Sequence, residues 1–406
     1  MKKTVLKNYA RLIAKAGVNV KKGQEVFIMA GLDQPEFVKM LVEECYKLGA
    51  RKVVVDWRYQ PLEKLDNRYR SLRSLSKLDN YEEARWQHYV ETIPCRIYLE
   101  SDDPDGLRGM NQEKAAKAQQ ARYPVIRKYR DQIENKYQWC IAAVPGEAWA
   151  RKLFPELTKK QAMEKLWEAI LSCSRVTEDP IASWKEHNAD LYERCAYLNS
   201  IGIRKLHYYG DNGTDFTVGM IPEAEFKGGG EETLQGIYIN PNIPSEECFI
   251  SPKRGEAEGT VVATKPLSYQ GQLIEDFSIR FENGKAVEWH AGKNEELLGK
   301  MITMDEGSAY LGECALVPVD SPISQSGLLF YSTLFDENAA CHLALGQGYA
   351  DTLKNYAQYT LEEARALGIN DSMIHEDFMI GYEGLHIDAE TDNGTVPIFR
   401  KGNWAF

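Results

Sequence analysis

The chain opens with an alternation that leaves few folds available. An amphipathic stretch near 5 to 17 precedes the short apolar run "EVFIMA" (25–30). The amphipathic "QPEFVKMLVEECYKLGA" (34–50) follows, then a second apolar run, "KVVVDW" (52–57). Continuous apolar strands separated by amphipathic helices belong to a parallel sheet buried on both faces, because each crossover lays a helix over the sheet. Further helices are expected around 60–90, 112–135 and 160–173, and further strands at "RIYLES" (96–101) and "WCIAAVP" (139–145). The expectation is an N-terminal α/β domain with a mainly parallel sheet over residues 1–200.

Beyond residue 200 the texture changes to strand-like segments broken by Gly, Asn and Pro, such as "KLHYYGDNGTDFTVGM" and "GIYINPNIPSEECFISP". "ENGK" (282–285), between "FSIRF" and "AVEW", carries the Asn-Gly signal of a tight hairpin. Residues 201–406 are therefore expected to form a mixed, mainly β domain, with helices around 337–351 and 360–367. No internal repeat or low-complexity tract is present.

Length and charge limit the partners. A chain of 406 residues exceeds one ordinary core, which agrees with two domains. The net charge of -11 repels nucleic acid and anionic membrane and favours a small or peptidic partner. In "MKKTVLKNYARLIAKAGVNV", Lys7, Arg11 and Lys15 interrupt any leader-like apolar core, while Leu6, Tyr9, Ala10, Ile13 and Ala16 fall at helical spacing. No apolar run approaches the roughly 18 residues of a membrane span, so a cytoplasmic location is expected. The eight cysteines are scattered without a CxxC pair, which suits buried thiols better than disulfides or a zinc finger.

Several chemistries lack their motifs. "FKGGGEE" (226–232) has the spacing of neither a dinucleotide fingerprint nor a phosphate loop, and reads as a surface turn. There is no GxSxG elbow, and "HEDFM" lacks the second histidine of HExxH.

What remains is a set of acids and histidines in apolar settings. Glu246 and Glu247 stand in "NPNIPSEECFISP", Glu313 in "AYLGECALVPVD", and Asp336, Glu337, His342 and Tyr349 in "LFDENAACHLALGQGYAD". In "MIHEDFMIG", a strand would put His375 and Asp377 on one face about 6 to 7 Å apart, with Glu376 opposite. If 337–351 is a helix, His342 and Tyr349 share a face. Ionised carboxylates are rarely buried unless paired or metal-bound, and Glu313 lies in the middle of a hydrophobic stretch. A histidine and carboxylate set without thiolate suits zinc, cobalt or manganese. Two ions bridged by a carboxylate and a network of structural ion pairs both satisfy this pattern.

The order and wording of these motifs resemble the aminopeptidase T, aminopeptidase S and PepS family of dinuclear metallo-aminopeptidases. The resemblance runs over almost the whole chain, from "YARLIAKAGVNVKKGQEV" and "YKLGARKVVVDW" through "GDNGTDFTVGM", "NIPSEECFISP", "LGECALVPVDSPIS" and "LFDENAACHLALGQGYAD" to "IHEDFMIG". It implies a cytosolic, homodimeric exopeptidase acting on peptides with a free N-terminus through two divalent ions, drawn from Zn, Co, Mg or Mn. Carried over by motif, Glu247, Glu313, His342, His375 and Asp377 are implied metal ligands, with Glu313 shared by both ions. Tyr349 occupies the active-site tyrosine position, and Glu337 is implied either as a further ligand or as a general base. Cys248 and Glu376 depart from the family pattern without removing a ligand. A dinuclear phosphoesterase and an inactive metal-binding homologue are the alternative readings.

Overall fold

A computed structural model describes residues 1–406. The chain forms two compact units, Met1–His187 with Gly230–Ser245, and Asn188–Gly229 with Glu246–Phe406. It passes between them three times.

In the first unit, strands Glu25–Gly31, Lys52–Arg58, Cys95–Glu100 and Trp139–Ala143 pair in parallel. Val26, Ile28 and Ala30 are buried. The helix Pro35–Lys47 begins with proline, whose fixed φ suits a first helical turn, and buries Phe37, Val38, Leu41 and Cys45 at helical spacing. The capping box of Thr158 and Gln161 starts the helix Lys159–Cys173. Buried Glu25 is paired on one oxygen with Arg51 (2.9 Å) and on the other with His88 (2.6 Å). The excursion Gly230–Ser245 supplies the edge strand Asn242–Ile243, parallel to Trp139–Ala143. It is held by Asn240, whose backbone N donates to Gly17 O (2.8 Å) and whose Nδ2 donates to Ala16 O (2.9 Å).

The second unit contains a nine-stranded and a five-stranded sheet. Within the larger sheet, Gln272–Glu282 and Lys285–Lys293 form the hairpin expected at "ENGK", with Asn283 and Gly284 at φ of +50° and +79°. The smaller sheet orders His375–Met379, His342–Gly346, Leu311–Leu316, Cys248–Ile250 and Lys227–Gly228, all antiparallel. One face of it enters a core shared with the larger sheet. Cys248, Cys314, Leu343, Leu345 and Phe378 join Leu206, Tyr208, Phe216 and Phe277 there, and Phe277 packs on Phe378 at 5.9 Å.

The helix expected over 337–351 is corrected. Thr333–Asp336 and Glu337–Ala339 are single turns, and His342–Gly346 is a strand buried at every position. A strand enclosed on both faces reads as a continuous apolar run, which periodicity does not separate from a buried helix. The helix expected at 360–367 is Leu361–Leu367, opened by the capping box of Thr360 and Glu363. All eight cysteines are unbridged and buried, and no helix is long and apolar enough to cross a membrane.

Candidate metal centre

The second face of the five-stranded sheet gathers the acids and histidines of the motifs. Directly opposed residues in antiparallel strands share a face. Pairing of Glu313 with Ala344 and of Ala344 with Asp377 therefore sets the two carboxylates on either side of an alanine methyl. Two strand spacings separate their backbones by about 10 Å, and the short alanine leaves the space between them open to both side chains. One step along, Phe249, Ala315 and His342 form a second row, and His375 opposes Gly346. Glu247 immediately precedes the Cys248–Ile250 strand.

Glu313 reaches this face through a β-bulge. Leu311 and Cys314 both enter the core, which strict alternation forbids for residues three apart, and the register shifts between Leu311 and Glu313 at Gly312. Bulges re-aim side chains in this way beside functional sites.

Two groups of ligand atoms lie within 4.8 Å of one another, Glu247 with Glu313 and His342, and Glu313 with His375 and Asp377. Glu313 is common to both. His342 Nε2 is 3.2 Å from Glu247 Oε2, and His375 Nε2 is 3.0 Å from Glu313 Oε2 and 3.4 Å from Asp377 Oδ1. Each imidazole has its Nδ1 at a backbone carbonyl, His342 at Ala340 O (3.1 Å) and His375 at Gln347 O (2.7 Å). Donation from Nδ1 leaves the Nε2 lone pair facing the carboxylates, the orientation a metal-ligating histidine needs.

The electrostatics describe a site short of positive charge. Burial, with help from Glu247 and Asp377, raises the Glu313 carboxyl to about 7 against the pull of His375. Glu337 is pushed well above the carboxylate range by burial and then by Asp377, Glu247 and Glu313. Burial opposes the charge on His342, yet Glu247, Asp377 and Glu313 carry it to about 9. Burial likewise opposes the charge on His375, which Asp377 and Glu313 hold well above its ordinary value. Asp377 resists its own burial through His375 and ends below the ordinary range, although its buried Oδ1 has only the long 3.4 Å contact to His375 Nε2. Carboxylates crowded enough to raise Glu313 and Glu337, two imidazoles aimed by Nε2, and a weakly satisfied carboxylate oxygen together fit divalent cations.

Tyr349 and Glu337 complete the cluster. The Tyr349 hydroxyl is 3.2 Å from His375 Nε2, and its ring packs edge-on against Phe249 at 5.8 Å. Burial and the four carboxylates Glu313, Asp377, Glu337 and Glu247 hold the phenol well above 10, so it keeps its proton. Glu337 belongs to neither three-residue group, but its side chain hydrogen-bonds Asp377. Glu376 lies opposite Leu345 on the other face of the strand, where burial raises it to about 8.

Two contributors carry no motif signal in the sequence. Asn338, 0% exposed, accepts from the Glu246 backbone N (2.7 Å) and donates to Glu337 Oε1 (3.2 Å), joining two acid-bearing segments. Ala344 forms the floor between Glu313 and Asp377. Both become visible only once the strand register is known.

Residues 2–404 match the family described as thermophilic metalloprotease (M29). Aminopeptidase AmpS of Bacillus subtilis (strain 168) is 39% identical over 404 residues, covering 99% of this chain and 98% of that protein. Aminopeptidase T of Thermus aquaticus is 39% identical over 406 residues, covering 98% of each. The solved structure of wild-type AmpT from Thermus thermophilus superposes with a TM-score of 0.89 at 37% identity over 100% of both chains.

Proposed function

The chain belongs to the M29 metalloprotease family and is a metal-dependent aminopeptidase, and from this premise we propose that it cleaves the N-terminal peptide bond with water activated by two divalent ions. The observation that carries the two-ion reading is the presence of Glu313 in both ligand groups. In this reading Glu247 and His342 hold one ion, His375 and Asp377 hold the other, and Glu313 is shared. When bound, such a pair supplies an acidified water and Lewis-acid polarisation of the scissile carbonyl.

The protein's own groups supply the rest. Substrate approaches from the His375 side, because His375 is 20% exposed whereas His342 is 1% exposed. Tyr349, protonated at neutral pH and beside His375, donates a hydrogen bond to the oxygen that gains charge. Glu337, held near the ligands and not in either three-residue group, is the spare general base or completes the shell.

The family resemblance supports a cytoplasmic homodimer acting on peptides with a free N-terminus, with Zn, Co, Mg or Mn at the site. The catalytic domain in this reading is the part after residue 200. A phosphoesterase would need cations to clamp phosphate. The nearest basic pair in sequence, Lys253 and Arg254, is taken up by Glu256 (2.6 Å) and Glu306 (2.7 Å).

The test is metal analysis followed by assay of aminoacyl-p-nitroanilides and bis-p-nitrophenyl phosphate, with and without chelator. Two ions per chain and chelator-sensitive cleavage of the anilide are expected. Cleavage of the phosphodiester alone would reverse the assignment.

A further inference from the structure

The aim of His375 depends on groups outside the ligand set. Its Nδ1 donates to the backbone carbonyl of Gln347 (2.7 Å), which lies in the bend Gly346-Gln347-Gly348. A carbonyl between two glycines is free to turn unless it is tied, since glycine restricts the backbone least. Here both ends of the bend are tied.

Asn370, 1% exposed, donates Nδ2 to Gly346 O (2.5 Å) and Gly307 O (2.8 Å), and its own carbonyl accepts from Gly348 N (2.9 Å). The Gln347 side chain donates Nε2 to Gly348 O (2.7 Å) and accepts on Oε1 from Ser372 N (3.0 Å). Ser372 Oγ donates to Asp305 Oδ1 (2.9 Å), and Asp305 Oδ2 accepts from Met373 N (2.6 Å). The bend at 346–348 and the lead-in 370–374 are thus one hydrogen-bonded body. His375 begins the strand at one exit of that body and Tyr349 stands at the other. His342, by contrast, is aimed by Ala340 O, two residues away on its own chain.

We propose that Gln347 and Asn370 are positioning residues that set the direction of His375 Nε2 and the placement of Tyr349, so that the His375-side ion depends on them and the His342-side ion does not. This rests on the two-ion reading above. Polar partners behind a ligating histidine typically contribute about 10- to 100-fold in metal affinity or activity. Because the body also leads into Tyr349, its loosening reaches the open side of the site, where substrate enters.

The test uses the full chain, stripped of metal and titrated with Zn²⁺ or Co²⁺ against a chromophoric chelator. Gln347→Met keeps the side-chain length at a partly exposed position and removes its hydrogen bonds. Asn370→Ser removes the deeper tie and serves as the second variant. Wild type should bind two ions. In Gln347→Met one ion should weaken by about tenfold, the lower end of what a ligating histidine's polar partners contribute, while the other stays within about threefold. The Co²⁺ d–d spectrum of the weakened site should shift, and kcat at saturating metal should fall.

A folded Gln347→Met with both affinities within about threefold and an unchanged Co²⁺ spectrum overturns the proposal, even with a lowered Tm, because a merely structural role would move Tm alone. If Asn370→Ser does not fold, Gln347→Met decides. Failure of the wild-type protein to bind two ions rejects the underlying two-ion reading, and appears before any variant is made.

Discussion

Gly312→Ala probes the metal centre through packing, without touching a ligand. A Cβ at Gly312 would lie 2.2 Å from Gln347 O, 2.5 Å from Gln347 C and 2.6 Å from Gly346 O. All three are backbone atoms, so no side chain can swing away to relieve the overlap. Close C···O approaches in proteins are about 3.3 Å, so the bend must retreat by roughly 1 Å. Taken in full along the present 2.7 Å contact between Gln347 O and His375 Nδ1, that retreat would lengthen it to at most about 3.7 Å, beyond hydrogen-bond reach. Loss of one such bond is worth about 0.5 to 1.5 kcal/mol, or up to about tenfold in affinity for the ion on the His375 side. Overpacking itself costs about 1 to 3 kcal/mol of stability. The assay is chelator competition on folded protein, with a thermal melt run in parallel. Both effects should appear together: a lower Tm and one weakened ion. A folded Gly312→Ala that binds both ions with wild-type affinity would refute the reasoning that the bulge and the bend set the histidine.

Further outcomes are expected. Ala344→Leu fills the floor between Glu313 and Asp377 and should exclude at least one ion while leaving the core face unchanged; full stoichiometry by elemental analysis would count against the register argument. Tyr349→Phe should retain both ions and lose about 10- to 100-fold in kcat, and an unchanged kcat would remove the tyrosine from the mechanism. Metal-free His342, held at about 9 by Glu247, Asp377 and Glu313 against its burial, carries a proton at pH 7 that an ion must displace. Metal affinity should therefore rise by at least about tenfold per pH unit from 7 toward 9, with proton uptake by a weak buffer as the readout; a flat profile contradicts the assignment. Asp377→Asn should lose metal, whereas Glu376→Gln should keep it. The Glu376 carboxyl is raised by burial from 4.5 to about 8 in the folded protein, so the folded state binds its proton more tightly. Its contribution falls as pH rises from about 4.5 to 8, and Glu376→Gln should remove that loss, a gain of at most a few kcal/mol at pH 9 measured by denaturant melts.

Which parts of this site were legible in the sequence follows from where each piece of information resides. His375 and Asp377 could be paired from spacing alone, because a strand exposed to two environments alternates, and Glu376 does lie on the other face. The hairpin at Asn283-Gly284 was legible because its turn needs positive φ at two successive residues, a local demand that few residue types meet. His342–Gly346 reads as helix in the sequence because every position is buried, and a segment without an exposed face shows neither a period of two nor one of 3.6. The consequence reaches the chemistry. On a helix, the seven-residue spacing would bring His342 and Tyr349 to one face. In the structure they approach the same cluster because the strand ends in a turn of the chain at Gly346. Gly346 has φ of +106° and lies so close to Ile374 O that an added Cβ would fall 2.1 Å from it. The small residues Gly312, Ala344 and Gly346 carry as much of the site as the acids do, yet nothing in their own neighbourhoods marks them. Their meaning comes from register between strands distant in sequence, which shifts at Gly312 and places Glu313 and Asp377 on either side of one methyl group. A substitution that preserves every proposed ligand but alters that register should therefore cost more metal than the loss of Glu376, the acid that stands between two of the proposed ligands in sequence and faces away from them in space.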